Sequence, residues 1–212
     1  MKKSLLILLL SLLASGQVFA QQSWIEGQHY TKIQPAMPVA DSSKIEVVEV
    51  FGYTCPHCDH FQAFIDPWVK NKKPSYVDFK RMPAVFRASW EPLARAYFVA
   101  EALGVEDKTN MAMFTAIHRE HKRFRSEDDL AGFYAQFGID EEKFKATYKS
   151  FGVSSKIKRS TTLVKSYGVA GTPSVVVNGK WLVSGSTAGG LGQMVDVVAF
   201  LVAEEAHSLG IK

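Results

Sequence analysis

The chain has 212 residues, 47% of them hydrophobic and 22% charged, which is enough to bury one sizeable core without covalent staples. Its net charge of +4 is too mild to imply a nucleic-acid partner. Two cysteines in so long a chain are too few for a disulfide framework, so the pair needs a local explanation.

The chain opens with Lys2 and Lys3 ahead of an apolar run from Leu5 to Ala14, and the segment closes in small residues. This is the pattern of a secretory signal peptide cleaved after Ala20. The run is shorter than the roughly 20 apolar residues a membrane-crossing helix needs. Cleavage would leave 192 residues starting at Gln21, with 23 basic against 21 acidic, and no cysteine at the cut to acylate. The expected product is a soluble protein outside the cytoplasm.

Lys44 to Phe51 is mostly β-branched and bounded by Asp41-Ser42-Ser43 and Gly52, which predicts a buried strand. Glu49 stands inside it, and an acid there is costly unless it has a partner or a job. From Pro56 to about Lys70, Phe61, Phe64, Ile65 and Trp68 fall at helical spacing, with Pro67 expected to kink or divide the helix. Tyr76 to Arg81 predicts a second strand, so residues 44–81 form a strand-helix-strand unit with a parallel pair. Helical patterns follow at about 90–103, 107–121, 127–137, 141–151 and 154–167, with Gly104, Gly138, Gly152 and Gly168 as expected stops and Ser126 and Asp140 as N-caps. Ser174–Asn178 and Trp181–Ser184 read as strands joined through Asn178-Gly179-Lys180, a tight-turn sequence, and a helix from about Leu191 to Leu209 closes the chain. The order predicts one α/β domain interrupted by a helical insertion. Asp59, His60, Lys80 and Arg81 are expected on the solvated surface.

The two cysteines, Cys55 and Cys58, flank Pro56 and His57 where the first strand gives way to the helix. That junction places the first sulfur at a helix N-terminus, where free N–H groups and the helix dipole favour negative charge. Pro56 suits the first turn, having no N–H to leave unpaired. A protonated His57 would add positive charge near the sulfur. Cys58, one turn on, can attack a mixed disulfide formed at Cys55. Zinc is a rival use of Cys55, His57, Cys58 and His60, but a structural site takes a second ligand pair from elsewhere and the sequence offers none. Covalent haem attachment requires His directly after the second cysteine, where Asp59 stands. A purely structural disulfide would close a loop of only a few residues and contribute little stability.

The signal peptide, the Cys55-Pro56-His57-Cys58 motif at the head of a helix, the inserted helices and Gly171-Thr172-Pro173 together resemble the DsbA family of periplasmic thiol:disulfide oxidoreductases, over essentially the whole mature chain. The resemblance implies a thioredoxin fold with an inserted helical domain: residues 1–20 as signal peptide, 21–87 and 169–212 as the two parts of the thioredoxin-like domain, and 88–168 as the insertion. It implies a monomer whose Cys55–Cys58 disulfide is the only redox group, with no further cofactor and no metal, and which donates that disulfide to reduced or unfolded exported proteins. Reoxidation would come from a DsbB-type membrane oxidant. Cys55 is then the nucleophile, Cys58 the resolving cysteine and His57 the thiolate stabiliser. Thr172-Pro173 matches the family's cis-proline loop, whose backbone pairs with substrate. Threonine there, where the best-known member has an apolar residue, sets a hydroxyl beside the thiolate. Glu49 matches an acid beneath the disulfide that helps the second cysteine exchange its proton. The alternatives are a disulfide isomerase or reductase of the same fold, or a chaperone-like peptide-binding module without redox turnover.

Overall fold

The computed structural model describes residues 23–211, so the expected signal peptide lies outside the described residues. Five strands form one sheet in the order β1-β5-β4-β2-β3. They are β1 Thr31–Lys32, β2 Ile45–Phe51, β3 Val77–Pro83, β4 Ser174–Val177 and β5 Trp181–Ser184. β2 and β3 are parallel, as the strand-helix-strand unit requires, while β4 runs antiparallel to both β2 and β5.

Alternation along the central strand β2 assigns its two faces. Ile45 and Val47 pack with Phe61, Ile65 and Trp68 of α1 (Pro56–Asn71) and with Val197 and Leu201 of α8 (Leu191–Leu209). Val48 and Val50 face the other way, toward Val164 and Tyr167 at the end of α6 (Phe151–Ser166). Period-two geometry puts Glu49 on the α1 face. Beyond the sheet, Phe51 and Tyr53 run into a third core with Tyr97, Met113, Phe114 and Tyr134. Those come from α2 (Glu91–Ala102), α3 (Glu106–His118) and α4 (Glu127–Ala135), which with α5 (Glu141–Tyr148) and α6 lie between β3 and β4 in the chain. The cysteine motif therefore sits where the sheet core meets the helical core.

Local chemistry sets most boundaries. Ser126 and Asp140 cap α4 and α5 by accepting from Asp129 N and Lys143 N. Asn178 and Gly179 both take positive φ, 51° and 63°, in the turn between β4 and β5. Two expectations are corrected. Pro67 does not divide α1, because the carbonyl it leaves without a partner, that of Ala63, lies on the exposed face where water can serve it. Gly152 does not end a helix: Ser150 caps a new one by accepting from Val153 N, and Gly152 falls in the first turn of α6. The sequence reading also passed over β1, a single 3-10 turn at Ala88–Trp90 and the one-turn helix α7, Gly185–Ala188.

Candidate active site

Cys55 is the N-cap residue of α1, in extended conformation with φ −88° and ψ 114°, and Pro56 begins the helix. Gly52, three residues earlier, accepts from Cys55 N at 3.0 Å. A Cβ at Gly52 would run into the Trp90 ring, so this approach to the motif admits no side chain. Both thiols are free and buried, Cys58 completely and Cys55 with 8% of its surface exposed.

The two sulfurs have opposite environments. Cys55 is surrounded by donors: the Cys58 thiol, the Thr172 side chain and the backbone N–H groups of Cys58 and His57 hold its pKa down to about 5 against the cost of burial. Burial, then the neighbouring Cys55 sulfur, push the Cys58 thiol far up. Cys55 is thus the thiolate and Cys58 the proton carrier of the pair. His57 contributes its backbone N–H to this balance, while its side chain is exposed.

The Thr172–Pro173 bond is cis. Cys55 Sγ lies 3.3 Å from Thr172 O, a carbonyl to which only its protonated thiol form can donate. Beside it opens a groove of about 590 Å³, lined by His57, Thr172, Pro173, Ser184, Gly190 and Leu191 among others. Phe51, Tyr53, Phe61 and Trp68, aromatics that could have lined such a groove, are instead core; Phe64 is exposed.

Glu49 is buried with no exposed surface. Its Oε1 accepts from Gln62 Nε2 at 2.6 Å and its Oε2 from Arg81 Nε at 3.0 Å. Burial raises its pKa, with Arg81 and Gln62 opposing. Gln62 Nε2 also donates to Cys58 O at 3.2 Å, so one amide touches both the acid and the second cysteine. Two residues expected at the surface belong here. Arg81, adjacent to Glu49 in the β2/β3 register, bridges Glu49 to Asp66 at 2.6 Å. Asp59, 7% exposed, pairs with Arg119 at 3.2 Å. The parallel register of two strands, unreadable from either strand alone, is what turns Arg81 inward. Gln62 was missed altogether; an amide one turn beyond the second cysteine on an apolar face was its only signal.

Known proteins resemble this chain in sequence and fold. The DSBA-like thioredoxin domain profile matches residues 77–189. The thiol:disulfide interchange protein DsbA of Pseudomonas aeruginosa is 36% identical over 203 residues, covering 94% of this chain and 96% of its own. The crystal structure of Pseudomonas aeruginosa DsbA superposes with a TM-score of 0.82 at 37% identity, over 87% of this chain and 96% of that one. The oxidoreductase DsbA of Xylella fastidiosa superposes with a TM-score of 0.81 at 36% identity, over 87% and 98%. On fold, motif and full-length similarity, the chain belongs to the DsbA family of thioredoxin-fold thiol:disulfide oxidoreductases.

Proposed function

We propose that the chain works as an exported oxidant, passing a Cys55–Cys58 disulfide to reduced proteins in the periplasm and being reoxidised by a DsbB-type membrane partner. The observation that carries this reading is the contrast between Cys55, the N-cap of α1 whose surrounding donors hold its pKa down to about 5, and Cys58, fully buried, whose thiol burial pushes far up.

In the oxidised protein a substrate thiolate attacks Cys55 Sγ. The Cys55–Cys58 bond breaks and its electron pair leaves on Cys58. Burial makes that thiolate unfavourable, so it takes a proton, for which Glu49, joined to the Cys58 backbone through the Gln62 amide, is the source. The substrate's second thiolate then attacks its own sulfur in the mixed disulfide and expels Cys55. A low-pKa thiolate is the better leaving group, which drives this second step toward oxidised substrate. Two electrons pass from the substrate dithiol to the protein. Peptide backbone docks at Thr172 and Pro173 beside the sulfur, and the groove from His57 to Leu191 holds the chain. Residues 21–87 and 169–212 form the thioredoxin-like part, 88–168 the insertion and 1–20 the removed signal peptide, and the protein acts as a monomer with no cofactor or metal.

Equilibration with glutathione tests the direction. A potential near −120 mV, about the figure for DsbA itself, is expected, and one near about −270 mV, as for thioredoxin, would make the chain a reductase. Cys55→Ala should abolish oxidation of a reduced test protein, and Cys58→Ser should accumulate covalent complexes through Cys55 on non-reducing gels. Oxidation retained in Cys55→Ala would leave only a binding module.

A further inference from the structure

Helix α3 of the inserted block touches the redox site at three polar points. His118 Nε2 lies 2.7 Å from Tyr53 O, and since a carbonyl only accepts, this ring nitrogen carries a proton and donates. Arg119 holds Asp59. The third contact leads to Glu49. Tyr53 OH donates to Asn110 Oδ1 at 3.2 Å, and Asn110 Nδ2 donates to Gln62 Oε1 at 3.2 Å. The other end of the Gln62 amide faces Glu49 Oε1 and Cys58 O. Asn110 is 3% exposed and Gln62 2%.

An amide has one accepting and one donating end. With Asn110 donating to Oε1, Gln62 must present Nε2 to the carboxylate. Flipping it would set oxygen against oxygen at Glu49 and at Cys58 O and nitrogen against nitrogen at Asn110, three unpaired buried contacts at once. The amide is neutral at every working pH, so it holds the acid without competing for its proton.

We propose that Gln62, oriented by Asn110, is a positioning residue that holds Glu49 for proton exchange with Cys58, so that the helical block sets the speed at which the cysteine pair closes and opens. This rests on the reading of Glu49 as proton partner of Cys58. The other charged or titratable groups that face Glu49 are Arg81 of β3, Asp66 of α1 beyond it, Tyr53 before the motif and Tyr97 of α2; from β4 its register neighbour is the apolar Val175. From α3, Asn110 reaches Gln62 and carries no charge.

Reduced protein mixed with oxidised glutathione in quenched flow separates two steps. First the Cys55 thiolate displaces one glutathione thiolate and forms a mixed disulfide. Then Cys58 gives its proton to Glu49 and attacks Cys55 Sγ, and the second glutathione leaves as thiolate with the bonding pair. Gln62→Met, which keeps the volume, should slow closure about tenfold at pH 6 and flatten its rise with pH, because a loosened base loses much of a general-base contribution. Asn110→Ala should slow it about threefold with the same change of profile. Formation of the mixed disulfide should stay within about twofold in both, since neither touches Cys55. Parental closure rates and pH profiles in both variants, with Glu49→Gln slow, would overturn the proposal. Parental closure in Glu49→Gln would overturn the Glu49 reading, and the proposal with it. If Gln62→Met does not fold, Asn110→Ala carries the test, since it leaves Gln62 in place.

Discussion

Two buried glutamates, one on β2 and one on α8, meet opposite fates. Glu205 on α8, 5% exposed, accepts from Asn178 Nδ2 at 2.6 Å, Lys180 Nζ at 2.7 Å and Trp181 Nε1 at 2.8 Å, all from the β4–β5 hairpin. Burial pushes its carboxyl up, but those three donors and the Lys180 charge outweigh it and hold the pKa below the ordinary range. Glu49 has no exposure and two donor residues, and there burial wins over Arg81 and Gln62. The supply of donors against the loss of water decides which acid is a fixed charge that clamps a hairpin and which is poised to exchange a proton.

The harshest way to break this contrast is Glu205→Ala. It orphans three buried or half-buried donors, one of them charged, and should cost about 3 kcal/mol of global stability. The reduction potential should not move. Urea melts and a glutathione equilibrium check both halves; a shifted potential would mean the clamp reaches the cysteines, and the two glutamate sites are not independent.

The sulfurs repeat the contrast and give the next largest effect. Cys55, rich in donors, is held down to about 5, and in the unfolded chain it titrates near the free value of about 8.5. A depressed pKa contributes stability that is fully present above the unfolded value and lost as pH falls through the folded one. Between those limits the unfolded reduced protein binds one more proton than the folded one. The stability of reduced over oxidised protein should therefore shrink by about 1.4 kcal/mol per pH unit from pH 8 to pH 6 and level off below pH 5. At pH 7 the reduced form should be the more stable. Denaturant melts of both forms across this range decide it, and a flat difference would mean the Cys55 pKa is not depressed.

How much of this could be read in the sequence follows the same division. Much that depends on local order was legible, such as the Cys55 helix start, the caps at Ser126 and Asp140, the Asn178-Gly179 turn and the α8 limits, though the Ser150 cap that opens α6 was not. Whatever depends on which neighbour a strand or helix meets was not. Arg81 looks like a surface charge until the parallel register sets it beside Glu49, and Asp59 like a helix-surface acid until Arg119 arrives from α3. The resemblance marked Glu49 as functional, but Gln62 and Asn110, 48 positions apart, become a pair only when α3 packs on α1.

A smaller effect separates the glutamates by sign. The raised Glu49 pKa means the folded protein binds the extra proton, so this group's contribution is fully present below the unfolded pKa near 4.3 and is lost as pH rises through the folded value. The lowered Glu205 pKa works the other way, with its contribution lost as pH falls through the folded value. Glu49→Gln should thus gain stability relative to the parent between pH 4 and pH 7, by about 1.4 kcal/mol for each unit by which the folded pKa is raised. Glu205→Gln should lose relative stability over the same interval. Parallel curves for the two variants would mean that burial does not outweigh the donors at Glu49.

The smallest effect tests whether one donor can be subtracted. Thr172 supplies a side-chain hydrogen bond that lowers the Cys55 pKa, second among the donors to that of Cys58. Valine has nearly the same shape, so Thr172→Val removes the hydroxyl without a cavity and leaves Thr172 O, 3.3 Å from the sulfur, to the backbone. The remaining donors still favour the thiolate, so the Cys55 pKa should rise by less than about one unit. Raising it destabilises the reduced protein, which makes the disulfide a weaker oxidant, by up to about 30 mV for a two-electron couple. Thiolate absorbance against pH and a glutathione equilibrium measure the two quantities separately, and linkage requires them to move together. If the potential shifts while the Cys55 titration stays put, the hydroxyl acts on the disulfide form or on Cys58, and donor supply is not what sets apart the two sulfurs.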